Sequence, residues 1–283
     1  MYKNYFKFIA LYVFIVVIPF LAHSATPFKF AFFTDLHVSE SKMEAADDLL
    51  NAVNEVNASG NIDFVLVSGD ITQNGDRNSL VEAKQILQKL KIPFYIVAGN
   101  HDFRWTTSGP IVFDEVFGDN KFSFTHKGCK FIGFTTTPLT NSGNGFIMNQ
   151  DIVWMKKELS KVAKKMPIYV VTHYPLQTGD VDNWYSMTDI LRKYNVQSML
   201  GGHYHRNTFL NYDGIPGVIL RSTLRGKETL GGYSILTVAD SLSITEKRIN
   251  QPEQNWLTLA ITKKKYKKPD MSIRPIVKIN TAK

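Results

Sequence analysis

The chain has 283 residues, 44% of them hydrophobic and 20% charged, with an ordinary 18 Gly and 11 Pro. That composition excludes wholesale disorder and collagen-like or coiled-coil chains, and the length allows one large domain or two small ones. The net charge of +8 sits in residues 1–24 and 251–283, so the neutral stretch 25–250 is a poor binder of duplex nucleic acid, which relies on many phosphate contacts.

At the N-terminus, Lys3 and Lys7 precede an apolar run from Phe8 to Leu21 and then Ala22-His23-Ser24-Ala25, the pattern of a secretory signal peptide. The run is too short to span a bilayer, which takes roughly 20 residues. Cleavage is expected after Ser24 or Ala25, which makes the body an exported protein, periplasmic or secreted. An uncleaved signal anchor is the alternative. No cysteine near the cleavage region points to a lipoprotein anchor. The single Cys129 forms no internal disulfide and reads as a small buried hydrophobe.

Phe28–Phe33 is a β-rich apolar run ending at Thr34-Asp35. Ala46, Leu49, Leu50, Val53 and Val56 then recur at helical spacing until Gly60. Phe64–Val67 is a buried strand ending at Ser68-Gly69-Asp70. Leu80, Ala83, Leu87 and Leu90 mark a second helix, and Phe94–Val97 a strand ending at Gly99-Asn100-His101. Val153–Val162 is helical, Ile168–Val171 is a strand ending at His173, Asp189–Tyr194 is helical, and Ser198–Leu200 leads into Gly201-Gly202-His203. Such repetition argues a parallel sheet with helical crossovers. Hairpins follow: Asn207–Tyr212 and Val218–Arg221 flank Asp213-Gly214, and Tyr233–Val238 and Leu242–Lys247 flank Ala239-Asp240-Ser241. The lysine run at 263–268 reads as a solvated or strand-edge extension, with weak contact to an anionic membrane surface as the alternative. The organisation is a signal peptide at 1–25, one folded domain at 26–250 and a basic C-terminal extension at 251–283.

Five apolar runs finish just before a polar cluster: Asp35 with His37, Asp70, Asn100 with His101, His173, and His203 with His205. In an open α/β sheet, ligands collect beyond the carboxyl ends of the strands. In an extended segment, Asp35-Leu36-His37 and His203-Tyr204-His205 would each place two side chains on one side. Each pair then holds one metal, or lends one ligand to each of two. Any one of these histidines alone is more often structural, but five of the seven histidines fall at strand ends beside Asp35, Asp70 and Asn100. Carboxylates and imidazoles without thiolates suit Zn, Fe or Mn.

In order, Asp35-Leu36-His37, Gly69-Asp70, Gly99-Asn100-His101-Asp102, His173 and Gly202-His203-Tyr204-His205 resemble the motifs of calcineurin-like metallophosphoesterases. The cyclic-nucleotide phosphodiesterase type, whose motifs end in Gly-His-x-His, is most similar. The resemblance covers residues 28 to about 248. It implies an α/β fold, a two-sheet sandwich of mixed parallel and antiparallel strands flanked by helices. It also implies two metal ions: one on Asp35, His37, Asp70 and His205, the other on Asp70, Asn100, His173 and His203, with Asp70 shared. The implied activity is hydrolysis of a phosphate mono- or diester on a small phosphorylated substrate, by attack of a metal-bound hydroxide. His101 would protonate the leaving oxygen or bind the phosphoryl group, and Asp102 either orients His101 or caps a loop. Gly69-Asp70 is followed by Ile71-Thr72 rather than Asp-Arg, and no tyrosine occurs between Asp70 and Leu90; these departures count against the protein serine/threonine phosphatase and purple acid phosphatase branches. Loops carrying Arg104-Trp105, Asn141–Gly145, Asn183-Trp184-Tyr185, and Arg221 with Arg225 are candidates for substrate selection. The alternatives are a metal-free scaffold on the same fold, which would lack ligands, and a nuclease, which would want a basic body.

Overall fold

A computed structural model describes residues 26–274 apart from 42, 104, 106–108, 138–142, 228–229, 265, 267–268 and 270. The signal segment, Arg104 and part of the 141–145 loop lie outside the described residues. The first sheet begins with β1 (Phe28–Phe33), β2 (Phe64–Ser68) and β3 (Phe94–Val97), joined by α1 (Met43–Ser59) and α2 (Arg77–Leu87). All three strands are parallel neighbours. After α3 (Asn100–Phe103) and α4 (Gly109–Phe117) the chain builds a second sheet. A hairpin of β4 (Phe122–His126) and β5 (Cys129–Gly133) leads through α5 (Asn149–Ser160), β6 (Ile168–Val171) and α6 (Trp184–Leu191) to β7 (Val196–Gly201). The hairpin β8 (Thr208–Tyr212) and β9 (Ile215–Ile219) closes it. The chain then returns to the first sheet through β10 (Gly232–Val238), β11 (Ser241–Arg248) and β12 (Gln254–Ala260).

The strand orders are β12-β11-β10-β1-β2-β3 and β4-β5-β6-β7-β9-β8. The expected mixed two-sheet sandwich flanked by helices is the observed architecture. The second sheet is parallel in the middle with an antiparallel hairpin on each flank, whereas the first is parallel from β1 to its β3 edge and antiparallel from β1 through β10 and β11 to β12. Burial explains the sequence pattern: β2 and β6 are buried at every position, so they read as unbroken apolar runs rather than alternating ones.

Three apolar layers hold the elements. α1, α2 and α4 cover the outer face of the first sheet, α5 and α6 cover the second, and an aromatic-rich layer fills the space between the sheets. There Phe30 stacks on Phe64 at 5.1 Å, with Phe131 edge-on to both. Emptying one such position, as in Phe131→Ala, costs about 3–5 kcal/mol. Cys129 is buried in this layer, and burial pushes its thiol up to about 11. No helix among the described residues is long and apolar enough to cross a membrane.

Several elements depart from the sequence reading. The helix expected over 153–162 begins at Asn149, because Asn149-Gln150-Asp151 forms a polar first turn with no apolar periodicity. The helix expected from Asp189 begins at Trp184, after Asn183 clamps the backbone of Ile147 through both N–H and C=O. Sheet order goes past residue 250: β12 pairs with β11. The chain beyond it also docks on the second sheet, where Thr262 bonds Gln197, Lys264 donates to Asn195, and the Tyr266 hydroxyl donates to the Val196 carbonyl. Of the lysine run, Lys265, Lys267 and Lys268 lie outside the described residues.

Candidate metal centre

The parallel strands β1, β2, β3, β6 and β7 end along one edge of the sandwich, and each delivers one polar cluster there. The loops are stitched together by backbone bonds: Asp35 N–H donates to Gly69 O, and Leu36 and His37 N–H both donate to Asp70 O. Ser68 Oγ donates to Thr172 O at 2.8 Å, tying the two sheets at the same level. Asp35 accepts from the Thr34 hydroxyl at 2.9 Å and from His203 N–H at 3.1 Å, so a carboxylate of the first sheet is fixed by a loop of the second.

The backbone here is not extended. Asp35, His37, Asp70, His203 and His205 have φ of 52°, 50°, 49°, 74° and 55°, a left-handed region that costs a residue with a Cβ about 1–3 kcal/mol. The pairs Asp35/His37 and His203/His205 are therefore presented by left-handed kinks, which corrects the expected strand alternation. Glycines make the close approach possible. A Cβ on Gly202 would sit 2.6 Å from Asp35 Oδ2, and one on Gly99 would sit 2.9 Å from the Gly69 carbonyl carbon.

Two groups of potential ligand atoms result, each with its atoms within 4.8 Å of one another: Asp35, His37, Asp70 and His205, and Asp70, His173 and His203. Asp70 belongs to both. Asp35 and His37 serve the same group, whereas His203 and His205 divide between the two. Asn100 joins the second, its Oδ1 3.1 Å from His173 Nε2. Asp70 Oδ2 lies 3.2 Å from His173 Nε2 and 3.8 Å from His37 Nε2. His205 Nε2 lies 3.1 Å from both Asp35 Oδ1 and His37 Nε2.

The electrostatics suit a cation. Asp35 and Asp70 are 0% and 1% exposed, and the charges that lower them are those of neighbouring imidazoles. Burial opposes ionisation of Asp35, but the His205 hydrogen bond and His173 hold its carboxyl below the usual range. Burial likewise opposes ionisation of Asp70, and His173 and His37 hold it well below that range. Burial lowers His37 and His203 to about 4, so both imidazoles are neutral donors of lone pairs. Burial also acts against a charge on His173, but Asp70 and Asp35 raise it to about 9. His173 Nδ1 donates to Ser68 O at 2.7 Å, which turns Nε2 inward, the outer-shell arrangement of metal-binding histidines. His37 Nδ1 is buried with no hydrogen-bond partner among the described residues. Two buried carboxylates, converging imidazole nitrogens and an amide oxygen fit a pair of divalent or trivalent ions.

The sequence profile of the calcineurin-like phosphoesterases matches residues 28–207. This chain belongs to that family. It is a metal-dependent phosphoric ester hydrolase. A protein of Ruthia magnifica subsp. Calyptogena magnifica named a probable cyclic nucleotide phosphodiesterase is 28% identical, over 65% of this chain and 80% of its own. A rat protein named serine/threonine-protein phosphatase CPPED1 is 23% identical, over 71% of this chain and 72% of its own. In fold, the chain is similar to the purple acid phosphatase PPD1 of yellow lupin, with a TM-score of 0.58 at 13% identity over 85% of this chain and 54% of that one.

Within the family site, His101 lies beside His37, the rings edge-to-face at 4.7 Å. Its Nδ1 donates to the Gln73 carbonyl at 2.7 Å, so Nε2 is the ring nitrogen that Gln73 O does not engage. Asp102 takes the loop-capping role. Its buried carboxylate accepts from the N–H groups of Ile71, Thr72 and Gly99, binding the loops after β2 and β3, while Gln73 orients His101. Burial and the Asp70 charge push Asp102 up to about 6.

Most of the expected substrate-selecting residues are occupied otherwise. Trp184 is buried and donates to Thr178. Arg225 clamps Asp48 through its side chain and backbone, and Arg221 is buried beside Glu246. An arginine spent on an internal carboxylate offers no bidentate edge to phosphate. Trp105 is 51% exposed beside His101. Sequence reasoning missed Gln73, whose contribution is a carbonyl that any residue carries. It also missed the Tyr204–Asp180–Gln177 triangle next to His203, in which Tyr204 OH donates to Asp180 at 2.8 Å and Gln177 Nε2 donates to Tyr204 OH and Asp180 at 2.9 Å each. Only the adjacency of Tyr204 to two motif histidines pointed towards it.

Proposed function

We propose that this chain is an exported phosphodiesterase of small phosphorylated substrates, working with two metal ions drawn from Mn, Fe and Zn. The observation that carries the proposal is the pair of ligand groups sharing one buried carboxylate, Asp70. Asp35, His37, Asp70 and His205 would hold one ion, and Asp70, Asn100, His173 and His203 the other. When bound, such a pair supplies charge neutralisation at the phosphoryl oxygens and an acidified water. Thr34 and the His203 N–H fix the orientation of Asp35, Ser68 fixes that of His173, and Gln73 that of His101. His101 in its imidazolium form, with Nδ1–H kept on Gln73 O, would give its Nε2 proton to the leaving oxygen and be left as the neutral ring.

The diester preference rests on the name of the similar Ruthia protein; the name of the rat protein favours a monoesterase acting on phosphoprotein. The scaffold reading has little support, because no ligand of the motif set is lacking. A panel of bis(p-nitrophenyl) phosphate, 3′,5′-cyclic nucleotides, p-nitrophenyl phosphate and a phosphoserine peptide, assayed with Mn, Fe and Zn, decides between them. Turnover of the diesters above the monoesters is expected, preference for the phosphopeptide would replace the diester reading, and no metal-dependent turnover of any ester would remove both. Export rests on the 1–25 pattern. The exported protein should begin at Ala25 or Thr26, and an intact Met1 would replace cleavage by anchoring. Weak contact of the basic tail with anionic membrane belongs to the same proposal, and vesicle binding at low salt, lost on truncation after Thr262, is its test.

A further inference from the structure

We infer that Arg206 selects substrates carrying a second negative charge beyond the scissile phosphoryl group; the inference rests on the phosphoesterase reading above. Among the described residues every other arginine is matched to a carboxylate. Arg192 and Arg274 share Asp213, Arg221 and Arg248 share Glu246, Arg225 holds Asp48, and Arg77 meets Glu115. Arg206 has no carboxylate partner among them, and it is exposed immediately after His205, at the rim of the ligand cluster.

Its guanidinium lies over the Tyr204 ring, 5.8 Å from the centroid. Stacking on an aromatic face orders a guanidinium without consuming its N–H donors, which stay available for an anion. The platform itself is fixed. Tyr204 is held through its hydroxyl by Asp180 and Gln177, and its ring centroid is 5.8 Å from that of His203. On the other side, the Asn207 side chain donates to Glu246 at 2.6 Å and accepts from Arg221 N–H at 3.0 Å. A cation presented from a segment pinned at both ends loses little freedom on binding. The scissile group belongs among the converging ligands, so a cation at their rim meets what extends from it. A carboxylate or second phosphate there would accept a bidentate, charge-assisted pair, worth roughly ten- to a hundredfold in affinity.

The test is calorimetric binding of ω-carboxyalkylphosphonates and alkylphosphonates of matched length to the full, manganese-loaded chain. The wild type should prefer the carboxylate series by roughly tenfold or more at the best spacing. Arg206→Ala should abolish that preference, and Arg206→Lys, which keeps the charge without the fork, should restore part of it. Equal binding of the two series by wild type, or a preference that survives Arg206→Ala, would overturn the role of Arg206. Failure of the wild type to bind any phosphonate in a metal-dependent way would instead overturn the phosphoesterase reading, and this inference with it.

Discussion

Asp70→Asn tests the shared ligand. The substitution is nearly isosteric at a position 1% exposed. The asparagine oxygen can still accept the His101 N–H that Asp70 Oδ1 accepts at 2.8 Å. The change falls on Oδ2, 3.2 Å from His173 and 3.8 Å from His37, where a charged oxygen becomes an amide donor. One lost charge should weaken both sites, by at least the 10–100-fold that supporting residues alone command. The consequence is readable as stability. A metal at about a hundred times its Kd stabilises a folded chain by about 2.7 kcal/mol, and each kcal/mol is worth about 2–4 °C in Tm for a domain of 150–250 residues. Manganese should therefore raise the wild-type Tm by roughly 5–11 °C per site, and Asp70→Asn should lose most of that rise. Thermal melts with and without metal, together with elemental analysis of the purified variants, make the measurement. His126→Ala is the control, because His126, at the end of β4, pairs with Asp63 just before β2, outside the ligand groups. Near-normal metal content and a full metal-induced rise in Asp70→Asn would refute the shared-ligand assignment.

His101→Ala should keep both metals yet lose roughly 10²–10⁴ in turnover, with a smaller loss on esters of very acidic leaving groups; loss of metal on elemental analysis would make His101 a ligand instead. Gly202→Ala drives a methyl group against Asp35 Oδ2 and Thr34, and should lower metal affinity more than thermal stability; unchanged affinity by calorimetry would show that the loop yields. Arg274→Ala breaks a fork on Asp189 (2.9 and 2.6 Å) and a bond to Asp213 at 3.1 Å, and should cost about 1–3 kcal/mol while leaving turnover near normal. Arg274 holds the Asp189 carboxyl below its usual range, so that part of the stability is present above the ordinary carboxylate pKa of about 4 and fades as pH falls through the lower folded value. Melts of wild type and Arg274→Ala that stay equally far apart down to pH ~2 would refute that linkage. Truncation after Thr262 removes Lys264, Tyr266 and Arg274 together; near-normal turnover with a lower Tm is expected, and lost turnover in a folded chain would place the tail at the active site.

The strands were readable because unbroken apolar runs such as Phe64–Val67 and Ile168–Val171 carry their own signature, that of strands buried on both faces. The candidate ligand set was readable because each member stands just after such a run. β12 escaped notice because a half-exposed edge strand carries a weak pattern, and α4 because its apolar residues showed no marked periodicity beside Gly109-Pro110. The sequence alone determined which residue types gather at the strand ends, where the charge lies, and how the domain alternates strand and helix. Only the tertiary structure decided that His203 and His205 part company between two groups, since left-handed kinks rather than strand alternation set their directions. Only it gave Asp102 to the loops and Arg221 and Arg225 to internal carboxylates. A sequence states which side chains can pair; partners as remote as Asp48 and Arg225 meet only when the sheets close on one another.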